Sequence, residues 1–199
     1  MAKYHPNVED YVVSRVRALE SLLLEKGLLR METVDDVIAR FEKDVGPLVG
    51  ARMVARAWLD PQYRELLLSD AGTAVTHFGL PAYGELRVVE DTEDVHNLVV
   101  CTLCSCYPWA VMGLPPVWYK MPPYRSRAVL EPRKLLGEMG WEIPEPREIR
   151  VWDSSAELRY MVLPLPPPGA AGMSEDALAA CITRDALIGA EPVRLLAAR

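Results

Sequence analysis

Three cysteines, Cys101, Cys104 and Cys106, fall within the six residues CTLCSC, and only one other, Cys181, occurs in the 199-residue chain. Sulfur so concentrated suits a structural zinc site, a redox pair or a metal claw. A closed zinc site takes four ligands, as a rule in two separated pairs. The remaining candidates are Cys181, His5, His77 and His96, and none stands at a ligand spacing. Cys101-Thr-Leu-Cys104 has the spacing of a thioredoxin-like pair, which would open a helix after a strand. A strand does precede it, but Pro108 and Gly113-Leu-Pro-Pro follow too soon for a long helix, and Cys106 is left without a role.

The claw uses every sulfur and the backbone as well. In Cys104-Ser105-Cys106 a metal bound by both thiolates lies beside the amide nitrogens of Ser105 and Cys106. Metal, Cys106 sulfur, Cβ, Cα and nitrogen close a five-membered ring. The two nitrogens close another, and the Cys104 sulfur with the Ser105 nitrogen closes a six-membered one. Cys101, one turn back, supplies a fifth donor and leaves one position open. Amide nitrogen yields its proton only to a strongly polarising ion, so this donor set selects trivalent cobalt or iron over zinc, and the open position is a Lewis-acid site.

The compartment bears on these choices. MAKYHPNVEDYVV lacks the basic and apolar regions of a signal peptide, and no apolar run approaches the length of a membrane span, which predicts a cytoplasmic protein. In a reducing cytosol clustered cysteines bind metal or do redox chemistry rather than form disulfides. Cys181, among small apolar residues in DALAACITRDAL, is most simply a buried small hydrophobe. With 28 acidic and 22 basic residues, a net charge of -6 and no Lys/Arg-rich run, nucleic acid is not an expected partner.

The elements that must position the claw are of two kinds. Half of the residues are hydrophobic, enough for a core. Residues 7–29 have helical periodicity ending at Gly27, a second helix is expected over Thr33–Lys43, and a third pattern runs through GARMVARAWLDPQYRELLLSD with a break near Asp60-Pro61. Residues 1–78 thus read as a helical arm that buries its apolar stripe on a partner subunit. Residues 79–199 read as an α+β domain. Strands are expected in ELRVVEDT, HNLVVC, EIRVWDS and LRYMVLP, the last two as a hairpin across DSSAE. SRAVLEPRKLLGEMG is expected to be helical with an interruption or a start near Pro132, and SEDALAACITRDALIG to be helical behind an N-cap at Ser174. PLPPP, from Pro164, is expected to be an extended surface connector.

CTLCSC followed by YPW resembles the metal-binding motif of the nitrile hydratase α subunit. RVRALESLLLEKGLL, VGPLVGARMVARAWLDP, DVHNLVVC, LPPVWYK, YRSRAVLEPRKLL, IRVWDSSAELRY and ITRDALIGAEP are similar to family segments in family order, so the resemblance covers nearly the whole chain. It implies a layered α-β-β-α domain behind the arm, with Cys101, Cys104 and Cys106 and the Ser105 and Cys106 amides as metal ligands. Cys101 would remain a thiolate, Cys104 would be sulfinic and Cys106 sulfenic, the metal holding a normally transient oxidation state in place. Thr102 and Tyr107 point to the cobalt type, one Co3+ per chain, over iron; Thr102 is otherwise a β-branched residue finishing a strand. The implied reaction is hydration of a small nitrile to an amide, with Cys104, Ser105 and Cys106 catalytic and the Cys106 sulfenate oxygen as nucleophile or base.

Trp109 resembles a substrate-pocket residue, and Arg159, with Asp153 and Ser154, a network reaching the partner; the plain alternatives are core packing and a hairpin turn. The implied partners are a β subunit, in αβ or α2β2 assemblies, and an activator protein for cobalt insertion. Related possibilities are the metal-binding subunit of thiocyanate hydrolase and a nitrile hydratase dedicated to a nucleoside nitrile. A non-catalytic storage or redox-sensing module is the alternative from another class.

Overall fold

The computed structural model describes residues 6–39 and 48–196. The chain divides into two compact units, Met1–Asp44 and Val45–Arg199. In the first, α1 (Pro6–Glu25) and α2 (Met31–Ala39) are joined at Gly27, whose φ of +64° is a left-handed conformation that glycine adopts without cost. Gly27 N–H donates to Leu24 and Leu28 N–H to Leu23, closing the helix end. Val13, Val16, Leu19, Leu22 and Leu23 are exposed along α1. The expected extension of the second helix to Lys43 lies outside the described residues.

The second unit begins earlier than residue 79. Helices α3 (Leu48–Leu59), α4 (Pro61–Ser69) and α5 (Ala71–Ala74), expected as part of the arm, carry Ala51, Met53, Val54, Ala55, Ala57 and Leu67 into the same core as the strands, so the division falls at Asp44/Val45. The small residues of α3 let it approach its neighbours closely. Asp60 ends α3 and caps α4, its carboxylate accepting from Gln62 and Tyr63 N–H, with Pro61 in the first turn where no donor is needed.

Among the described residues four strands form: β1 (Leu86–Glu90), β2 (Val95–Val100), β3 (Glu148–Asp153) and β4 (Arg159–Leu163). The hairpin expected across DSSAE does not. β3 instead pairs in parallel with β2, Val100 opposite Asp153, and β4 pairs in parallel with β1, Leu86 opposite Arg159. The segments between β1 and β2 and between β3 and β4 therefore each pass from one two-stranded sheet to the other. Beyond β3, Ser154 N–H donates back to Val100 at 2.7 Å, and its hydroxyl accepts from Tyr160 N–H at 3.2 Å, so the DSSAE segment bends away rather than folding β4 against β3.

A buried polar network fixes β2. His96 is fully buried, its Nδ1 at 2.9 Å from Asp91 Oδ2 and its Nε2 at 2.8 Å from the Gly189 carbonyl. Asp91 also accepts from the Asn97 backbone and side chain, and Asn97 accepts from Trp152 Nε1 on β3. Each buried polar atom in this set has a partner, as burial demands.

The remaining helices follow the turn residues. Short α6 (Trp109–Met112) comes straight after the cysteines. Glu131 separates α7 (Pro122–Leu130) from α8 (Pro132–Glu138), which makes Pro132 an interruption. The single helix expected after Ser174 is two, α9 (Glu175–Ala179) and α10 (Arg184–Ile188), because Thr183 turns extended and caps the second with its hydroxyl to Ala186 N–H. The proline segment is irregular as expected but not a surface strip: Pro164 and Pro167 are buried, and Pro164 accepts from Trp58 Nε1 on α3. Among the described residues no helix is long and apolar enough to cross a membrane.

Candidate metal centre

Because β2 and β3 are parallel, their carboxyl ends lie at one edge, and the cysteine loop leaves from that edge. Cys101 follows Val100 directly and is buried at 1% exposure, Cys106 is half-buried, and Cys104 is exposed. The three Sγ atoms lie within 4.8 Å of one another, and among the described residues no further His, Cys, Asp or Glu joins them. Cys104 Sγ is 3.4 Å from Cys101 Sγ and 3.2 Å from Cys106 Sγ.

One ion could therefore meet all three sulfurs. A closed zinc site takes four side-chain ligands, and among the described residues no fourth is at hand, so the donors left to complete such a site are the backbone nitrogens of the loop, which suits a claw rather than closed zinc.

The loop is held from three directions. Asp153, at the end of β3, accepts from Thr102 N–H at 2.9 Å and from the Thr102 hydroxyl at 2.5 Å. Tyr119, fully buried in the 3-10 turn Val117–Lys120, donates its hydroxyl to the Cys106 carbonyl at 3.0 Å. Arg125, on α7, donates to the Cys104 carbonyl at 3.1 Å. Cys104 N–H itself points to Cys101 Sγ at 3.3 Å. The sequence gives no sign of Tyr119 or Arg125, one tyrosine of eight and one of two arginines on its helix, because what singles them out is the packing of α7 and its preceding turn against β2.

The thiols do not titrate alike. Hydrogen bonds from Cys106 and Cys101 and from the Ser105 and Cys106 backbone favour the Cys104 thiolate, pulled down to about 7. Burial, with the neighbouring sulfurs, pushes Cys106 up to about 12. The first proton leaves the trio easily and the next is resisted.

Beside the sulfurs is an open hollow of about 350 Å³ lined by Tyr83, Cys104, Ser105, Cys106, Tyr107, Trp109 and Arg159. Of the residues singled out in the sequence, it gathers Cys104, Ser105, Cys106, Tyr107, Trp109 and Arg159. Trp109 is 43% exposed, so it is a wall rather than core. Arg159 forms an ion pair with Glu85 and lies over the Tyr83 ring at 5.8 Å, a second contact invisible in the sequence. Tyr107 is buried, and burial raises its phenol, so it stays neutral. Asp153 and Ser154 serve the loop and the sheet edge, through Thr102 and Tyr160.

Compared with known proteins, the chain matches the family model for the nitrile hydratase alpha chain over residues 10–191. The chain belongs to that family. The low-molecular weight cobalt-containing nitrile hydratase subunit alpha of Rhodococcus rhodochrous is 50% identical over 186 residues, covering 92% of this chain and 90% of that subunit. The cobalt-containing nitrile hydratase subunit alpha of Pseudonocardia thermophila is 47% identical over 197 residues, 98% of this chain and 97% of its own. Among solved structures, a double mutant of the Fe-type nitrile hydratase from Comamonas testosteroni Ni1 superposes with a TM-score of 0.80 at 40% identity, covering 96% of this chain and 92% of that one. The thiocyanate hydrolase subunit gamma of Thiobacillus thioparus is 43% identical over 195 residues, 92% of this chain and 79% of that subunit. Nitrile hydratase α chains and thiocyanate hydrolase thus share this sequence pattern, and the chemistry of the hollow has to choose between them.

Proposed function

We propose that this chain is the metal-bearing α subunit of a cobalt nitrile hydratase, hydrating small nitriles to amides together with a β subunit. The observation that carries the proposal is the cluster of three sulfurs, with no fourth side-chain donor among the described residues, beside an aromatic-walled hollow. Cys101, Cys104, Cys106 and the Ser105 and Cys106 amides would hold the ion, and the cobalt names of the relatives favour cobalt over iron. When bound, the ion would supply Lewis acidity beside the hollow.

The chain's own residues do the rest. Trp109, Tyr83 and Tyr107 supply the aromatic wall against which an uncharged nitrile would lie beside Cys106. Were Cys106 at the sulfenic level and Cys104 at the sulfinic level, after oxidation by dioxygen during metal loading, the Cys106 oxygen would act as nucleophile at the nitrile carbon or take the proton of the attacking water, with Cys104 flanking it. Asp153, Tyr119 and Arg125 fix the backbone from which these groups project. The exposed apolar row of α1 is the surface we assign to the β subunit, in αβ or α2β2 assemblies, with an activator protein serving metal insertion. A layered α-β-β-α arrangement and a cytoplasmic location belong to the same proposal.

Thiocyanate hydrolysis is the second possibility, and the hollow weighs against it. Its wall carries the neutral Trp109, and the charge of its arginine, Arg159, is taken by Glu85, so an anion finds little to meet it. The test is co-expression with the β subunit and activator in cobalt medium, followed by metal analysis, intact mass and parallel assays on nitriles and thiocyanate. One cobalt per chain, added oxygen confined to the Cys101–Cys106 peptide and nitrile turnover are expected. Zinc with three unmodified thiols, or turnover of thiocyanate alone, refutes the proposal.

A further inference from the structure

We propose that Arg125 is a positioning residue for the metal claw, its guanidinium holding the Cys104 carbonyl and matching the negative charge that oxygen acquires when the Ser105 nitrogen is a ligand. The inference rests on the assignment of the claw as a cobalt site. The peptide joining Cys104 to Ser105 contributes both groups: its nitrogen is the ligand, and its oxygen is what Arg125 Nη1 meets at 3.1 Å. As the nitrogen binds, a nitrogen–metal bond replaces the N–H bond and the proton passes to water. The charge left behind is shared by resonance across N, C and O, so the Cys104 oxygen becomes a stronger acceptor in the loaded protein than in the empty one. A hydrogen bond that gains a charge on its acceptor, with a cation already on its donor, strengthens.

Two observations set this arginine apart from its neighbours. Arg127 is paired with Glu131 and Glu138, and Arg133 with Glu145, whereas among the described residues no carboxylate is paired with Arg125. Its charge is thus left for the claw, and its Nε is buried without an acceptor among the described residues. Second, the adjacent Tyr124 is buried and donates its hydroxyl to the Val99 carbonyl at 2.6 Å. Val99 lies two residues before Cys101. Consecutive residues of α7 therefore grip the strand that delivers the claw and the peptide at its centre, which fixes the register of one on the other.

The test uses the full chain co-expressed with its β subunit and activator protein in cobalt medium, as wild type, Arg125→Met and Arg125→Lys. Cobalt content, the rate of cobalt loss to a chelator and the sulfur-to-cobalt absorption band are read on each complex. Arg125→Met is expected to lose cobalt roughly tenfold faster, the scale of one charge-assisted hydrogen bond, with a displaced absorption band. Arg125→Lys, which restores a charge without the planar fork, is expected to recover part of both. If Arg125→Met is poorly folded, Arg125→Lys carries the test: faster cobalt loss supports the inference, and loss and absorption identical to wild type overturn it. If wild type loads and Arg125→Met matches it in content, loss rate and absorption, the role of Arg125 is refuted while the cobalt assignment stands. If wild type itself takes up no cobalt, the assignment fails and this inference with it.

Discussion

The clamp between Asp153 and Thr102 can be tested with one substitution. Asp153→Ala removes two hydrogen bonds to a carboxylate, at 2.9 and 2.5 Å. Both residues are exposed, so solvent replaces part of what is lost, and each bond contributes about 1 kcal/mol rather than the larger value of a shielded pair. Losing about 2 kcal/mol shifts the balance between clamped and released loop by roughly 30-fold. The core is untouched, since the carboxylate leaves no buried partner unsatisfied. Amide hydrogen exchange in the metal-free protein reads this directly: Cys104 N–H, which points to Cys101 Sγ, is expected to exchange roughly 30-fold faster, with β2 and β3 little changed. Asp153→Asn, which keeps one acceptor for Thr102 N–H, should fall between. Unchanged exchange at Cys104 in Asp153→Ala would sink the claim that the parallel β2–β3 edge positions the claw.

Three other outcomes follow from the same geometry. Gly189→Ala should cost more than about 3 kcal/mol in chemical denaturation, because a Cβ there would run into the Asn97 backbone carbonyl at a φ of +83°, where neither side can yield as a flexible side chain would. In metal-free protein at pH 7, a small alkylating reagent followed by peptide mapping should label Cys104 well before Cys106. The labelling rate should climb as pH rises through about 7, since the depressed thiol is the one already ionised there, and equal labelling of both thiols would contradict the assigned order. Trp109→Ala in the cobalt-loaded complex should raise KM for aromatic nitriles about tenfold, with a smaller change for acetonitrile and unaltered cobalt content, on the scale of one lost aromatic wall.

The cysteine cluster of this chain is more legible in the sequence than its topology, and the reason is local. Cys101, Cys104 and Cys106 stand within six residues, so their meeting needs little knowledge of the fold, and cap residues such as Asp60 and Ser174 act within three residues of themselves. Strand partners are not local. The short DSSAE link predicts a hairpin on length alone, but β2 is buried along nearly its whole length by α7, α10 and β4 packed around it, and β3 pairs along its edge in parallel. The same non-locality hid the helices at 48–78: their sequence shows an amphipathic stripe, and only the core shows that Met53, Val54 and Leu67 meet the strands rather than a partner. Arg125 is the extreme case. Nothing in YRSRAVLEP marks the second residue rather than the fourth, yet α7, anchored through Tyr124 to the strand before the claw, sends one to a carbonyl of the metal loop and the other to two surface carboxylates. The three cysteines stand together in the sequence; the groups that hold their loop were assembled by the parallel pairing of β2 with β3 and by the helix that packs on it.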